Sequence, residues 1–223
     1  MSTGNADPLK EELPEITELI MRDRAVRFAD GSIRSNIDAI VFCTGYSYSY
    51  PFLSTLKPQV TSNGLRAEHV YQHIFYTPHP TLAFLALPQR VVPFIISEAQ
   101  SAAAARVWAN RIQLPSSEEM VRWEHELIAE LGPGKMFHAM NFPKDVDYVN
   151  ELYDWSMTAS PSGMGKDPPR WGGTERWVRE RCAAMRAAFV ALGSTRHRVH
   201  TLKDLGFDPG EALIPQIESR SVL

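Results

Sequence analysis

Few residues in this chain of 223 amino acids have the types and spacing that chemistry needs. His69 and His73 stand four apart and would share one face of a helix, as zinc ligands do. No Glu-x-x pattern and no third ligand accompanies them, so a metal site is not expected. The serines cluster in loops and no G-x-S-x-G turn exists, which leaves a Ser/His/Asp nucleophile without its elbow. His79 lies in a loop between Pro78 and Pro80 and reads as a packing residue rather than a base. Cys43 and Cys182 are too few for a disulfide framework. Each stands where a small apolar residue would serve, so both are expected as structural thiols. No histidine or helix start lies beside Cys43 to make it a reactive thiolate.

What remains is two places where an apolar run ends in a turn. Residues 39–43 are apolar and rich in β-branched and aromatic types, too short for a helix, and read as a strand buried on both faces. Thr44-Gly45-Tyr46 closes it, and Gly45 has no Cβ to resist a sharp turn or a close ligand. Residues 81–87 read as a second apolar strand, stopped by Pro88-Gln89-Arg90. Ligands of open α/β sheets gather beyond the carboxyl ends of strands, where both turns fall. Gln89 brings a carboxamide able to donate and accept. Glu98 and Gln100, just inside the next helix, are expected to cap or orient its start, with the acid suited to the helix dipole.

These turns need a scaffold. Residues 1–14 read as a loosely docked lead-in. Strand pieces at 16–21 and 25–28, separated by Arg22-Asp23-Arg24 and followed by the Asp30-Gly31 turn, make a small β-meander feeding the run at 39–43. Beyond Pro51 the sequence becomes irregular, aromatic and broken by proline, as in segments that cross layers or line a cleft. A helix is expected over 94–112, with Ile96, Ala99, Ala103 and Val107 on one face and an alanine run allowing close packing against a sheet. Ser116 and Glu119 form a capping box for the next helix. Met120, Trp123, Leu127 and Leu131 are its buried stripe, and Gly132-Pro133 ends it. A shorter helix covers 144–155, and 160–173 is a Pro/Gly-rich loop that includes Gly163-Met164-Gly165. A last helix over 174–192 would bury Val178, Cys182, Met185, Phe189 and Leu192. Its Arg176, Arg179, Arg181 and Arg186, interleaved with Glu175 and Glu180, read as a solvated face.

Composition narrows the function classes. Hydrophobic content of 44% suffices for one sizeable core or slightly more, and a formal charge of -3 provides no basic field for nucleic acid. No run reaches the roughly eighteen apolar residues of a membrane span, and the polar, acidic start lacks the regions of a signal peptide. A cytoplasmic protein is expected.

Four blocks in fixed order carry a resemblance: VRFADGS (26–32), DAIVFCTGYSYSYPFL (38–53), HPTLAFLALPQ (79–89) and SEAQSAAAARVWA (97–109). Together they resemble the C-terminal half of flavin-containing monooxygenases, over about residues 16–112, with weaker agreement from Pro115 onward. In that family an ATGY turn leads from the NADPH-binding domain back to the FAD-binding domain, and here Cys43 takes its first position. The family usually has Gly before the residue equivalent to Gln89, where the backbone approaches the flavin; here Ala86 or Leu87 takes that place. The two GxGxxG turns and the signature segment between them, all in the family's N-terminal half, are absent.

The resemblance implies an α/β fold: the C-terminal portion of a flavoprotein with two dinucleotide-binding domains, plus a helical C-terminal tail. Residues 1–50 would end the NADPH-type domain and 51–223 would form the C-terminal part of the FAD-type domain. It implies cofactor contacts from Thr44, Gly45, Tyr46, Ala86, Leu87 and Gln89, with FAD and NADPH as cofactors and no catalytic side chain. The implied reaction is oxygenation of a small, soft N or S nucleophile, after reduced flavin adds O2 to give a hydroperoxide. Two alternatives stand beside it. One is a truncated or split-gene segment that binds a partner, such as a missing N-terminal half or a second copy; the other is a Baeyer–Villiger type flavoenzyme.

Overall fold

The computed structural model describes residues 11–210, so most of the expected lead-in lies outside the described residues. The chain divides into two compact units, 1–46 and 47–223.

The first unit is the expected meander. Strand β1 (Ile16–Ile20) runs antiparallel to β2 (Ala25–Phe28), with Ile20 opposite Ala25, and β2 pairs in turn with β3 (Ile33–Arg34). A tight helical turn, Met21–Asp23, joins the first two and closes on Arg24 in a left-handed conformation (φ 45°). The second connection is an Asx turn. The Asp30 carboxylate accepts from the Ser32 amide (2.9 Å) and hydroxyl (2.7 Å), with Gly31 at φ 83°. Ala25, Val26 and Phe28 are buried.

Residues 39–43 do not form the expected buried strand. Residues 35–50 have no regular structure, and Val41 and Phe42 are 80% and 75% exposed. A run with high β propensity becomes a strand only when neighbours complete its hydrogen-bond ladder and cover its faces. No strand among the described residues does so here.

The second unit packs four helices around a short hairpin. Strand β4 (Val70–Tyr71) faces β5 (Phe75–Tyr76), and Gln72 and His73 between them both have φ 52°. The strand expected over 81–87 shrinks to one bridge between Ala83 and Phe75. The chain leaves the ladder because Ala86 turns left-handed (φ 62°) and Pro88 has no amide to donate.

Helix α1 (Pro93–Trp108) buries Ile96, Ala99, Ala103 and Val107, as the sequence indicates. Its small face shares a core with Val149 and Leu152 of α3 (Lys144–Met157) and with Ile74 and Phe75 of the hairpin. Helix α2 (Ser117–Leu131) carries the full capping box. Glu119 N–H donates to Ser116 Oγ at 3.3 Å, Ser116 N–H donates to Glu119 Oε2 at 2.9 Å, and Gly132 ends the helix at φ 80°. Trp123 and Leu127 cover a second cluster formed by Val60, Ala67, Val70, Tyr76, Phe84, Leu87 and Phe137.

Helix α4 (Gly173–Ala191) departs from its expected pattern. It buries Trp177 and Met185, whereas Cys182, Phe189 and Leu192 are exposed. Cys43 is exposed as well, so neither thiol is a core residue. The arginine face is not merely solvated. Arg179 pairs with the buried Asp145, Arg176 pairs with Asp147 at 3.1 Å, and both acids belong to α3. The helix is fastened by ion pairs at Arg176 and Arg179, on the face that the charge pattern alone assigns to solvent.

Candidate functional site

The candidate site centres on the bend at 86–89. Ala86 holds a left-handed conformation that costs an L-residue roughly 1–2 kcal/mol, so its surroundings must impose it. Its amide donates to Gln100 Oε1 at 2.8 Å. Gln100 is completely buried, and its Nε2 donates to Tyr148 Oη (2.9 Å) and to the His73 carbonyl (3.4 Å). Gln100 is therefore a clamp reaching from the second turn of α1, not the expected helix cap. Glu98 has no capping role either: it pairs with Lys166 at 2.6 Å, and the α1 N-terminus at Val92 has no side-chain cap.

The rest of the bend is held from three sides. Tyr48 donates to the Leu87 carbonyl at 2.9 Å, and Gln89 Nε2 donates to Tyr48 Oη at 2.9 Å. Burial raises the pKa of Tyr48 while the Gln89 bond opposes it, so it acts as a neutral hydroxyl. The Gln89 amide donates to the His138 carbonyl at 2.8 Å, and Met140 N–H donates to the Gln89 carbonyl at 3.0 Å. Arg179 Nη2 donates to the carbonyl of Arg90, another left-handed residue (φ 62°), at 2.9 Å. Leu87 is buried, while Ala86 and Gln89 are exposed. Gln89 uses one of its two side-chain amide hydrogens on Tyr48, and its Oε1 has no protein partner among the described residues. The bend thus presents a rigid backbone and one free carboxamide oxygen.

A polar core lies under the 138–140 segment. His138 Nε2 lies 3.1 Å from the Ala67 amide nitrogen and 3.2 Å from the Ala67 carbonyl oxygen, so it can accept from the first or donate to the second. His138 Nδ1 and His73 Nδ1 share one hydrogen across 2.9 Å, the donor being set by that choice. Burial drives the pKa of His138 down to about 4, and burial with the neighbouring imidazole takes His73 well below its usual range. Beside them Arg66 and Glu124, both buried, pair at 2.6 Å, and Arg66 stacks over Phe137 at 4.5 Å. His73 is thus a core residue, and His69 gives its amide to Glu124 at 2.8 Å. Among the described residues no group of three His, Cys, Asp or Glu is placed to hold a metal, and no helix is long and apolar enough to cross a membrane.

The six residues expected at cofactor divide between the units. Ala86, Leu87 and Gln89 come together in the bend. Thr44, Gly45 and Tyr46 end the first unit, in exposed backbone with Gly45 at φ 83°, open space where a Cβ would stand, and Tyr46 99% exposed. Tyr48, His138 and Arg179 escaped sequence reasoning as site residues. Gln100 carried a usable signal, because a carboxamide within the apolar face of Ile96, Ala99 and Ala103 must find a buried partner.

Comparison with known proteins places the chain in a family. A flavin-containing monooxygenase, ustF2, of Aspergillus flavus is 28% identical over 71% of this chain and 35% of its own length. The thiol-specific monooxygenase of Saccharomyces cerevisiae is 29% identical over 74% of this chain and 38% of its own length. The chain thus spans little more than a third of these curated relatives. The S-allyl-L-cysteine S-oxygenase from Allium sativum matches in fold, with a TM-score of 0.65 at 23% identity, over 96% of this chain and 46% of that one. The family model described as flavin-binding monooxygenase-like matches residues 9–161, well over half of the sequence, and the chain belongs to that family.

Proposed function

We propose that this chain is the C-terminal portion of an NADPH- and FAD-dependent monooxygenase that transfers one oxygen atom of O2 to a small, soft N or S nucleophile. The observation that carries the reading is the family match across residues 9–161, which includes both the turn at 44–46 and the bend at 86–89. The relatives named for thiol and S-oxygenation support a sulfur nucleophile. In this reading 1–50 end an NADPH-type domain and 51–223 contribute the C-terminal part of an FAD-type domain.

The residues present fit a flavin as one wall of its site. Ala86 bends the backbone outward, and Gln89 offers a free Oε1 to an N–H or hydroxyl of the cofactor. The flavin, when bound, supplies the oxygen activation. The chain's own part is to hold and shield. Tyr48, Gln100 and the 138–140 segment fix the bend, and Leu87 keeps its inner side dry. Thr44, Gly45 and Tyr46 supply the corresponding wall toward NADPH. No side chain is assigned as acid, base or nucleophile.

One wall cannot exclude the water that competes with oxygen transfer, and the Gly-rich turns that bind pyrophosphate are not in this sequence. The purified chain with added FAD is therefore expected to be colourless and not to oxidise NADPH. Co-expression with a family N-terminal half should give a yellow complex, and Gln89→Ala in that complex should lose flavin on gel filtration. A yellow, NADPH-oxidising monomer of this chain alone would refute the reading. Exposed Met21, Val41, Phe42 and Tyr46 favour association with a further polypeptide. A non-catalytic partner-binding role would show as a stable complex that never takes up flavin.

A further inference from the structure

Between α2, the 137–140 segment and α3 lies a cavity of about 300 Å3. That is the lower end of the range of small-molecule sites, roughly 300–1,000 Å3. Its walls include His73, Trp123, Leu127, Phe137, Met140 and Tyr148. The rings of Trp123, Phe137 and Tyr148 each meet His73 edge-on, at 5.3, 5.4 and 5.9 Å between centroids.

Lys144, Asp147 and Glu151 also border the cavity, on one face of α3. Lys144 is paired with Glu130, and Asp147 with Arg176. Glu151 has no cationic partner among the described residues. It stands at the exposed rim, where partial burial and the nearby Asp147 raise its pKa. At His73, Nδ1 is engaged with His138, and Nε2 has no hydrogen-bond partner among the described residues. The cavity therefore combines aromatic walls, an unpaired carboxylate at its rim and an imidazole nitrogen without a protein partner.

We propose that this cavity binds a small aromatic ammonium ion, with the cation at Glu151, the ring against Trp123 and Phe137, and a hydroxyl hydrogen-bonded to His73 Nε2. An anion would meet Glu151 and Asp147 without a free positive charge to hold it. An alkyl chain would leave the carboxylate unpaired and forgo the attraction of a cation to aromatic faces. The site is separate from the 86–89 bend and does not rest on the monooxygenase reading.

The test is titration calorimetry of the full chain with tyramine, 2-phenylethylamine and the neutral 2-(4-hydroxyphenyl)ethanol. Tyramine should bind saturably with one site per chain. The neutral alcohol and the Glu151→Gln variant should each weaken binding by about fivefold or more, as for a charge at the edge of a site. Glu151→Gln should melt with the parent chain, since its carboxylate holds no partner. Removing the hydroxyl, as in 2-phenylethylamine, should also weaken binding. Absence of saturable tyramine binding at millimolar concentration would overturn the proposal, as would equal affinity for the neutral alcohol or an unaffected Glu151→Gln. Equal affinity for the two amines would remove the His73 contact.

Discussion

The buried His73–His138 pair makes stability depend on pH in a calculable way. His138 is neutral in the fold with its pKa at about 4, against 6.5 when unfolded, and His73 is displaced in the same direction. Between these values the unfolded chain binds a proton that the native chain refuses. Stability is therefore complete above about pH 6.5 and falls as pH drops toward 4. A gap of about 2.5 units, at about 1.4 kcal/mol each, gives a loss on the order of 3 kcal/mol from His138, a large part of the stability of an ordinary domain. The perturbation is His138→Gln, whose carboxamide oxygen can still accept from the Ala67 amide. Urea midpoints of both proteins, measured from about pH 7.5 to 4.5, separate this effect from the carboxylates they share. The variant starts lower at neutral pH but should decline less steeply, by about 1.4 kcal/mol per pH unit between pH 6 and 4.5. Parallel declines would refute the assignment of a neutral, buried His138.

Other perturbations follow from the same geometry. Arg179→Ala strands the buried Asp145 and should cost about 3–5 kcal/mol by chemical denaturation, while Asp145→Asn in the same chain recovers part of the loss. Ser116→Ala should cost on the order of 1 kcal/mol, and a double-mutant cycle with Glu119→Ala should show coupling, because each side chain holds the other's amide. Ala86→Gly, scored by thermal melting, should be neutral or gain up to about 1 kcal/mol, since it relieves a left-handed alanine; a loss above about 1 kcal/mol would show the bend unstrained. Gly64→Ala should be costlier than Gly45→Ala or Gly163→Ala in urea denaturation. All three glycines have positive φ, but a Cβ at Gly64 would stand 2.9 Å from Ser47 Cβ and 3.2 Å from the Tyr48 carbonyl, whereas the other two have open space.

Local signals determined much of the second unit. The capping box at Ser116 and Glu119, the apolar face of α1 and the glycine stop at Gly132 act through neighbours three or four residues away, so the sequence contains both partners of each interaction. The meander at 16–34 is legible for the same reason, because Asp30, Gly31 and Ser32 build their own turn. The resemblance carried by 26–53 and 79–109 likewise lay open in the sequence and led to the family.

Tertiary structure decided whatever needed a distant partner. Residues 39–43 have the composition of a buried strand, but composition supplies no ladder, and the run stays exposed. The alanines of α1 permit close packing, but only the fold brings α3 and Phe75 of the hairpin into one core with them. Gln100 reads as a helix-start residue until Ala86, Tyr148 and the His73 carbonyl surround it from elements 14 to 48 residues away. Arg179 reads as a solvent-facing charge until Asp145 and the Arg90 carbonyl claim it. His73 and His138, 65 residues apart, share a proton only because the fold buries both where water cannot serve either. Sequence specifies which groups a residue can offer, and the fold alone decides which of them are removed from water and must answer one another.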